Sequence, residues 1–183
     1  MRIRQVITRA ASIGVAIALI ATGHVNALDV GQPAPNFTLV APGGRLVRLA
    51  DLLPTGSIVL YTFLQAYTKD CAEEINSFEQ ALKQFQAAGA QLVGVSADHV
   101  TNLDAFARSN KITHLLLSDF RLQMLPAYNA LITDPRSPSY RQAKRAYFII
   151  DRQGVIRYVK VEDNPLDLLN PQEILQVLSQ LGL

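Results

Sequence analysis

A single cysteine, Cys71, is the residue of this 183-residue chain best suited to redox chemistry. The apolar residues Ile75, Phe78, Leu82 and Phe85 recur at helical spacing and predict a helix whose first turn contains Cys71. The backbone amides and the positive dipole end at a helix start stabilise a thiolate, which is the nucleophilic form of cysteine. Two interpretations stay open: a reactive thiolate, or a small buried hydrophobic residue, the usual role of a lone cysteine.

Acidic side chains surround this cysteine. Asp70 and Glu73 are predicted to form the N-cap and its reciprocal partner at the helix start. Glu73 and Glu74 stand in the same turn as the sulfur and disfavour a second negative charge there. The acidic residues therefore count against the thiolate.

Metal chemistry has little support in the sequence. His99 and His114 follow no metal-ligand spacing, and surface or helix-start positions suit them better than ligation. The carboxylates Asp98, Asp104 and Asp119 fall at the ends of predicted elements, where capping is the expected role. No cofactor and no metal are expected.

Strands and helices alternate along the chain and would position Cys71. Runs of β-branched and aromatic residues predict strands, helical spacing predicts helices, and Gly or Pro clusters predict turns. This order predicts an α/β protein with a central mixed β-sheet flanked by helices, an N-terminal β-hairpin and a second hairpin at one edge. The predicted elements are strands at 37–40, 46–49, 57–63, 91–96, 115–117, 146–150 and 155–161, helices from Cys71 towards Gly89 and at 101–109, 122–131 and 172–181 (opened by Pro171), and a polar loop at 133–144.

The first 27 residues have the layout of a signal peptide. Arg2, Arg4 and Arg9 precede an uncharged apolar stretch, and small residues end the segment at Ala27. The apolar stretch is shorter than the roughly 20 residues that span a bilayer, so cleavage near Ala27 is favoured over an uncleaved anchor. The expected organisation is a signal peptide at 1–27 and one domain at 28–183, exported to a periplasm or a thylakoid lumen with no stable membrane insertion.

Charge argues against a nucleic-acid partner. The chain has 17 basic and 15 acidic residues, and three of the basic residues lie within 1–27, which leaves the remaining domain near neutrality. No basic run remains in that domain to follow a phosphate backbone.

The segment 64–71 (LQAYTKDC) resembles the active-site loop of peroxiredoxins, Pro-x-x-x-Thr-x-x-Cys. Thr68 falls on the threonine of this motif and Cys71 on the peroxidatic cysteine, whereas Leu64 replaces the proline. The run 145–151 (RAYFIID) resembles the strand by which peroxiredoxins bring an arginine, here Arg145, to the cysteine. From the sequence alone, Thr68 is equally explained as a helix cap and Arg145 as a solvated strand-edge cation.

The resemblance covers nearly all of the predicted domain. It includes residues 30–37, 89–96, 117–119 and 151–154, in the order typical of the alkyl hydroperoxide reductase and thiol-specific antioxidant superfamily and its bacterioferritin-comigratory-like branch. The resemblance implies a thioredoxin-like fold. The absence of a Cys-x-x-Cys site argues against a thioredoxin-like reductase.

This resemblance implies a thiol peroxidase of antioxidant defence with Cys71, Thr68 and Arg145 as its catalytic residues. Cys71 would attack a hydroperoxide, Thr68 would orient it, and Arg145 would stabilise the negative charge on the sulfur and the leaving oxygen. Because no second cysteine is present, an external thiol or a thioredoxin-like reductant would have to restore the enzyme, as in a one-cysteine type. The expected assembly is a monomer or a homodimer.

Two further hypotheses compete with this one. A non-catalytic exported thioredoxin-fold binding module would keep the scaffold without the chemistry, and the replacement of the proline by Leu64 supports it. A disulfide-exchange protein would stall after one step, because the chain lacks a second thiol.

Overall fold

A computed structural model of the protein describes residues 28–164 and 167–183. The predicted signal peptide at 1–27 lies outside the described residues. Within the described ranges, no helix is both long enough and apolar enough to cross a membrane.

Seven strands and five α-helices alternate along the described chain; the strands and four of the helices correspond to predicted elements, whereas the short helix α1 was not predicted. The helices are α1 (Leu49–Leu52), α2 (Lys69–Ala87), α3 (Val100–Asn110), α4 (Met124–Ala127) and α5 (Pro171–Leu181). The strands are β1 (Thr38–Val40), β2 (Leu46–Arg48), β3 (Ser57–Thr62), β4 (Ala90–Ser96), β5 (Leu115–Ser118), β6 (Ala146–Ile150) and β7 (Ile156–Val161).

The strands form one mixed sheet in the order β2-β1-β5-β4-β3-β6-β7. The central strands β3, β4 and β5 are parallel, while β6 pairs antiparallel to β3 and β7 antiparallel to β6. The N-terminal hairpin β1-β2 lies at the opposite edge and joins the sheet through the pair Val40 and Ser118. The predicted mixed sheet with an N-terminal hairpin is therefore confirmed.

Apolar side chains cover both faces of this sheet. One cluster collects side chains from α2, α3 and α5, and the other collects them from the N-terminal hairpin, α1 and α4. The strands β3 and β6 are buried along their whole length, which explains their continuous apolar runs. Cys71 belongs to the cluster under α2.

The helix predicted at 122–131 is much shorter in the structure. Leu122 and Asn129 both have positive φ angles, 54° and 53°, and bound the single turn α4. Pro126 lies within that turn and has no backbone donor to extend it. Apolar content alone therefore overestimated the length of this helix.

Some of the roles predicted for the histidines and aspartates are confirmed, and others are wrong. His99 is the N-cap of α3 and Asp119 accepts hydrogen bonds from the first amides of α4, as expected. Asp98 instead accepts from the amide of Ala66, so it anchors the loop before α2. The prediction of a surface or helix-start position is wrong for His114, which is buried.

Candidate active site

Cys71 lies in the first turn of α2, directly after the buried strand β3 and its loop. The first helical hydrogen bond runs from the Ala72 amide to the Thr68 carbonyl, so the amides of residues 69–71 precede the helical ladder. The thiol side chain is buried, with the residue only 1% exposed. The sulfur therefore occupies the positive end of a 19-residue helix, screened from bulk water.

Arg145, which lies 74 residues after Cys71 in the sequence, contacts this sulfur. The Thr62 hydroxyl on β3 donates to the Lys144 carbonyl at 2.7 Å, and the Glu162 amide donates to the Arg145 carbonyl at 2.9 Å. These bonds hold the backbone of Arg145 against its two neighbouring strands. Its guanidinium Nη2 lies 3.5 Å from the Cys71 sulfur, within hydrogen-bond distance.

Glu74 compensates the charge of Arg145 inside the protein. It follows Cys71 by one helical turn, is 1% exposed, and its Oε2 accepts from Nη1 of Arg145. Burial raises the pKa of Glu74 to about 7, although Arg145 and a hydrogen bond from Tyr147 both act to lower it. Burial lowers the pKa of Arg145, but the charges of Glu74 and Cys71 outweigh it and raise the pKa above its usual value. One buried cation thus faces two acidic groups.

Tyr147 binds the second oxygen of this carboxylate. Its hydroxyl donates to Oε1 of Glu74 and accepts a hydrogen bond from the Leu169 amide at 3.1 Å. A cavity of about 340 Å³ lies where Glu74 meets the segment 168–171 at the start of α5. The carboxylate is therefore enclosed by α2, β6 and the segment that leads into α5.

Thr68 is the N-cap residue of α2, but its side chain does not cap the helix. Its hydroxyl donates backwards to the Gln65 carbonyl at 3.0 Å and folds the loop 64–68 into a turn. The carboxylate of Asp98 fixes the same loop by accepting from the Ala66 amide at 2.8 Å. The prediction of Asp70 as the N-cap is wrong, since the helix already begins at Lys69.

The structure brings Cys71 and Arg145 into contact and places Thr68 one turn before the cysteine, half-buried, with its hydroxyl directed to the loop. Sequence reasoning missed the roles of Glu74 and Tyr147. Glu74 was expected only to oppose the thiolate, but its charge is balanced by Arg145. The available signal was spacing, because Tyr147 follows Arg145 by two residues and alternate residues of a strand share a face.

A second buried polar cluster lies beside the first on the same side of the sheet. The Tyr61 hydroxyl lies 2.7 Å from Nε2 of His114, and Nδ1 of His114 lies 2.6 Å from Oε2 of Glu79. Burial lowers the pKa of His114 more than Glu79 raises it, so the ring is neutral at pH 7. The Nδ1–H tautomer then satisfies both partners, with the Tyr61 hydroxyl as donor to Nε2. This cluster ties α2 to the start of β5.

The other candidate sites among the described residues lack the reactive groups of the Cys71 site. A cavity of about 530 Å³ lies between the N-terminal hairpin and the residues after β5, lined among others by Leu46, His99 and Phe120, and neither Cys71 nor Arg145 lines it. Across residues 28–164 and 167–183, no group of three or more His, Cys, Asp or Glu side chains could hold a metal ion.

Comparison with known proteins agrees with this geometry. The AhpC/TSA family matches residues 30–159. The putative peroxiredoxin bcp of Coxiella burnetii is 31% identical over 133 residues, which are 72% of this chain and 87% of that protein. Peroxiredoxin Bcp of Bacillus subtilis is 28% identical over 147 residues, 78% of this chain and 93% of that protein. The crystal structure of peroxidoxin BcpB from Mycobacterium tuberculosis superposes with a TM-score of 0.75 at 25% identity, covering 84% of this chain and 97% of that one.

A thioredoxin-like sheet, with a buried cysteine in the first turn of a helix and an arginine in contact with its sulfur, is the arrangement of the peroxiredoxin class. The chain belongs to the AhpC/TSA family, among its Bcp-like members. The resemblance stated from the sequence is confirmed.

Proposed function

We propose that this protein is a thiol peroxidase of the one-cysteine type, in which Cys71 reduces hydrogen peroxide and small organic hydroperoxides. The observation that carries the proposal is the contact between the Arg145 guanidinium and the Cys71 sulfur in the first turn of α2. Both the cation and the helix start favour the thiolate that the reaction needs. Relatives that bear the name peroxiredoxin support the same activity.

The chemical step is a displacement on oxygen. The Cys71 thiolate attacks the terminal oxygen of the hydroperoxide, a sulfur–oxygen bond forms, and the oxygen–oxygen bond breaks with its electron pair going to the leaving oxygen. The leaving alkoxide or hydroxide takes up a proton, and Cys71 becomes a sulfenic acid. Arg145 carries a fixed positive charge next to the sulfur and stabilises the negative charge as it moves to the leaving oxygen.

Thr68 has a narrower role than the resemblance alone implies. Its single hydroxyl proton is used in the hydrogen bond to Gln65, so its remaining capacity is as an acceptor. The hydroperoxide O–H is a donor of the matching kind. Thr68 therefore orients the substrate by accepting a hydrogen bond from the hydroperoxide O–H group.

The reductant comes from outside the chain. Cys71 is the single cysteine, so no internal thiol can condense with the sulfenic acid. A small-molecule thiol or a thioredoxin-like protein completes the cycle, and excess peroxide drives Cys71 on to the sulfinic acid. The burial of the sulfur favours small peroxides and small thiols.

The test is peroxide consumption by the protein with an added thiol, compared with Cys71→Ser. We expect rapid turnover that the substitution abolishes, and a mass gain of one oxygen atom confined to Cys71 after a brief peroxide pulse. Hydrogen peroxide and cumene hydroperoxide compared side by side report substrate size. Equal, slow rates for both proteins and no mass gain would leave a binding module as the remaining hypothesis.

Export also belongs to this proposal. The Arg-containing, apolar, small-residue layout of residues 1–27 supports cleavage near Ala27 and delivery to a periplasm or a thylakoid lumen. Mass spectrometry of the protein recovered from its native cells should find Leu28 near the mature N-terminus. Recovery of the full-length chain would contradict it. Sedimentation of the processed domain distinguishes a monomer from a homodimer.

A further inference from the structure

Tyr147 is the one member of the buried cluster that contacts neither the sulfur nor the arginine through a hydrogen bond named above. It lies on β6 two residues after Arg145, so both side chains point to the side of the sheet that α2 covers. The ring is fully buried and stacks against Phe78 of α2, with the two ring centroids 6.3 Å apart. Its hydroxyl therefore has a fixed position in the cluster.

This hydroxyl begins a chain of contacts that ends at the sulfur. It donates to Oε1 of Glu74, the other oxygen of that carboxylate accepts from Arg145, and Arg145 reaches Cys71. A carboxylate held at both oxygens cannot rotate, and a guanidinium bound to a fixed carboxylate has a fixed plane. Without the hydroxyl, Oε1 of Glu74 loses a buried partner and the carboxylate can turn.

We propose that Tyr147 is a positioning residue for the peroxide reaction: its hydroxyl, itself held by the Leu169 amide, keeps the Glu74 carboxylate oriented so that Arg145 stays aimed at the Cys71 sulfur. The inference rests on the proposed peroxidase function of Cys71. It also links the reactive centre to the segment 167–170 before α5, which supplies the backbone amide.

The proposal predicts a specific pH dependence. The groups whose charge or hydroxyl interacts with Glu74 are Tyr61 on β3, Tyr147 on β6, Arg145 just before β6 and Glu162 just after β7. Cys71 lies one helical turn before Glu74 on α2. Among them Tyr147 donates a hydrogen bond to the carboxylate, and this bond acts to lower the pKa of Glu74. Loss of the bond therefore raises that pKa, and a larger share of Glu74 is protonated at neutral pH and releases Arg145.

The experiment compares wild type with Tyr147→Phe, which removes one oxygen atom and keeps the ring. Peroxide rate constants are measured from pH 5.5 to 8.5 and divided by the thiolate fraction, which ultraviolet absorbance reports for Cys71 alone because it is the single cysteine. In wild type the rate per thiolate should fall below about pH 7, where Glu74 becomes protonated. In Tyr147→Phe the same fall should occur about 0.5 to 1 pH unit higher, with a rate about threefold lower at pH 7.

Tyr128→Phe is the matched control. The hydroxyl of Tyr128 is also buried and donates to the Pro35 carbonyl, but it lies in the cluster on the other face of the sheet. This variant should lose similar stability and keep the wild-type pH profile. Glu74→Gln cannot ionise and should remove this pH dependence of the rate per thiolate.

A stronger hydrogen-bond donor at position 147 should move the fall in rate per thiolate in the opposite direction along the pH scale. Replacing Tyr147 with 3,5-difluorotyrosine keeps the hydroxyl and makes it more acidic, so the fall in rate per thiolate should move to lower pH. This measurement stands even where Tyr147→Phe fails to fold. If Tyr147→Phe and the difluorotyrosine protein both had the same pH profile of the rate per thiolate as wild type, the role of Tyr147 would be overturned. Absence of any peroxide reaction in wild type would instead overturn the peroxidase function.

Discussion

Arg145→Met should destabilise the protein in a way that depends on pH. The substitution keeps the length of the side chain and removes the cation that balances Glu74, whose carboxylate is buried and 1% exposed. Removing one partner of a buried ion pair commonly costs about 3–5 kcal/mol, because it leaves an uncompensated charge. Glu74 can avoid that cost by taking up a proton, so the cost should be smaller at lower pH.

The magnitude follows from the pKa of Glu74, about 7 in the folded protein against 4.5 as its ordinary value. A carboxyl with a raised folded-state pKa makes the folded state bind the extra proton, so stability falls as pH rises through that window. In wild type the fall ends near pH 7. In Arg145→Met the pKa rises further and the fall continues at about 1.4 kcal/mol per pH unit. At pH 8.5 the substitution should therefore cost about 2 kcal/mol more than at pH 6.

Urea denaturation at pH 6 and pH 8.5 measures this difference. All proteins carry Cys71→Ser, because a cysteine thiol would also ionise in this range. Arg136→Met is the matched control: Arg136 pairs with Asp134 at 3.0 Å and both side chains are exposed, so its loss should cost less than about 1 kcal/mol at both pH values. Adding Glu74→Gln to Arg145→Met should abolish the pH difference. An equal cost of Arg145→Met at pH 6 and pH 8.5 would refute the reasoning.

Two further substitutions test the neighbouring cluster. Burial raises the pKa of Glu79, but hydrogen bonds from Thr113 and His114 outweigh it and lower the pKa to about 2. The stability they contribute is present above pH 4.5 and lost as pH falls toward 2, so Glu79→Gln should cost about 1–3 kcal/mol at pH 7 and less at pH 3 in thermal melts. Gly94→Ala would place a methyl group 2.7 Å from the Tyr61 ring and should cost about 1–3 kcal/mol in urea denaturation, whereas an unchanged midpoint would contradict that packing.

Local patterns were sufficient for most of the elements. The β-branched run at 57–63 and the helical spacing after Cys71 each depend on residues close in sequence, and the structure has β3 and α2 there. The exceptions have local causes that apolar content does not show. Positive φ angles at Leu122 and Asn129 limit α4 to one turn, and the Thr68 hydroxyl binds the preceding loop instead of the helix amides.

Side-chain roles that depend on distant partners were less predictable. The apolar run at 115–117 follows His114 directly, but the sequence does not show the polar partners that burial requires; Tyr61 and Glu79 lie within hydrogen-bond distance of its two ring nitrogens. Glu74 looks like an ordinary acidic residue of an amphipathic helix until Arg145 and Tyr147 are placed against it. In each case the partner lies 35 to 73 residues away along the chain.

The sequence by itself determined the order of strands and helices, the position of Cys71 in a helical first turn, and the family to which the chain belongs. The first two follow from periodicity and turn residues, which act over a few residues, and the family follows from the resemblance of the motifs at 64–71 and 145–151 to those of peroxiredoxins. Only the tertiary structure decided the charge balance around the sulfur. Strand β6 lies beside β3 only once the sheet has formed, and that pairing places Arg145 and Tyr147 under α2. From the sequence, the Glu74 carboxylate was expected to oppose the thiolate. In the folded protein it is buried and pairs with Arg145, the cation that contacts the Cys71 sulfur.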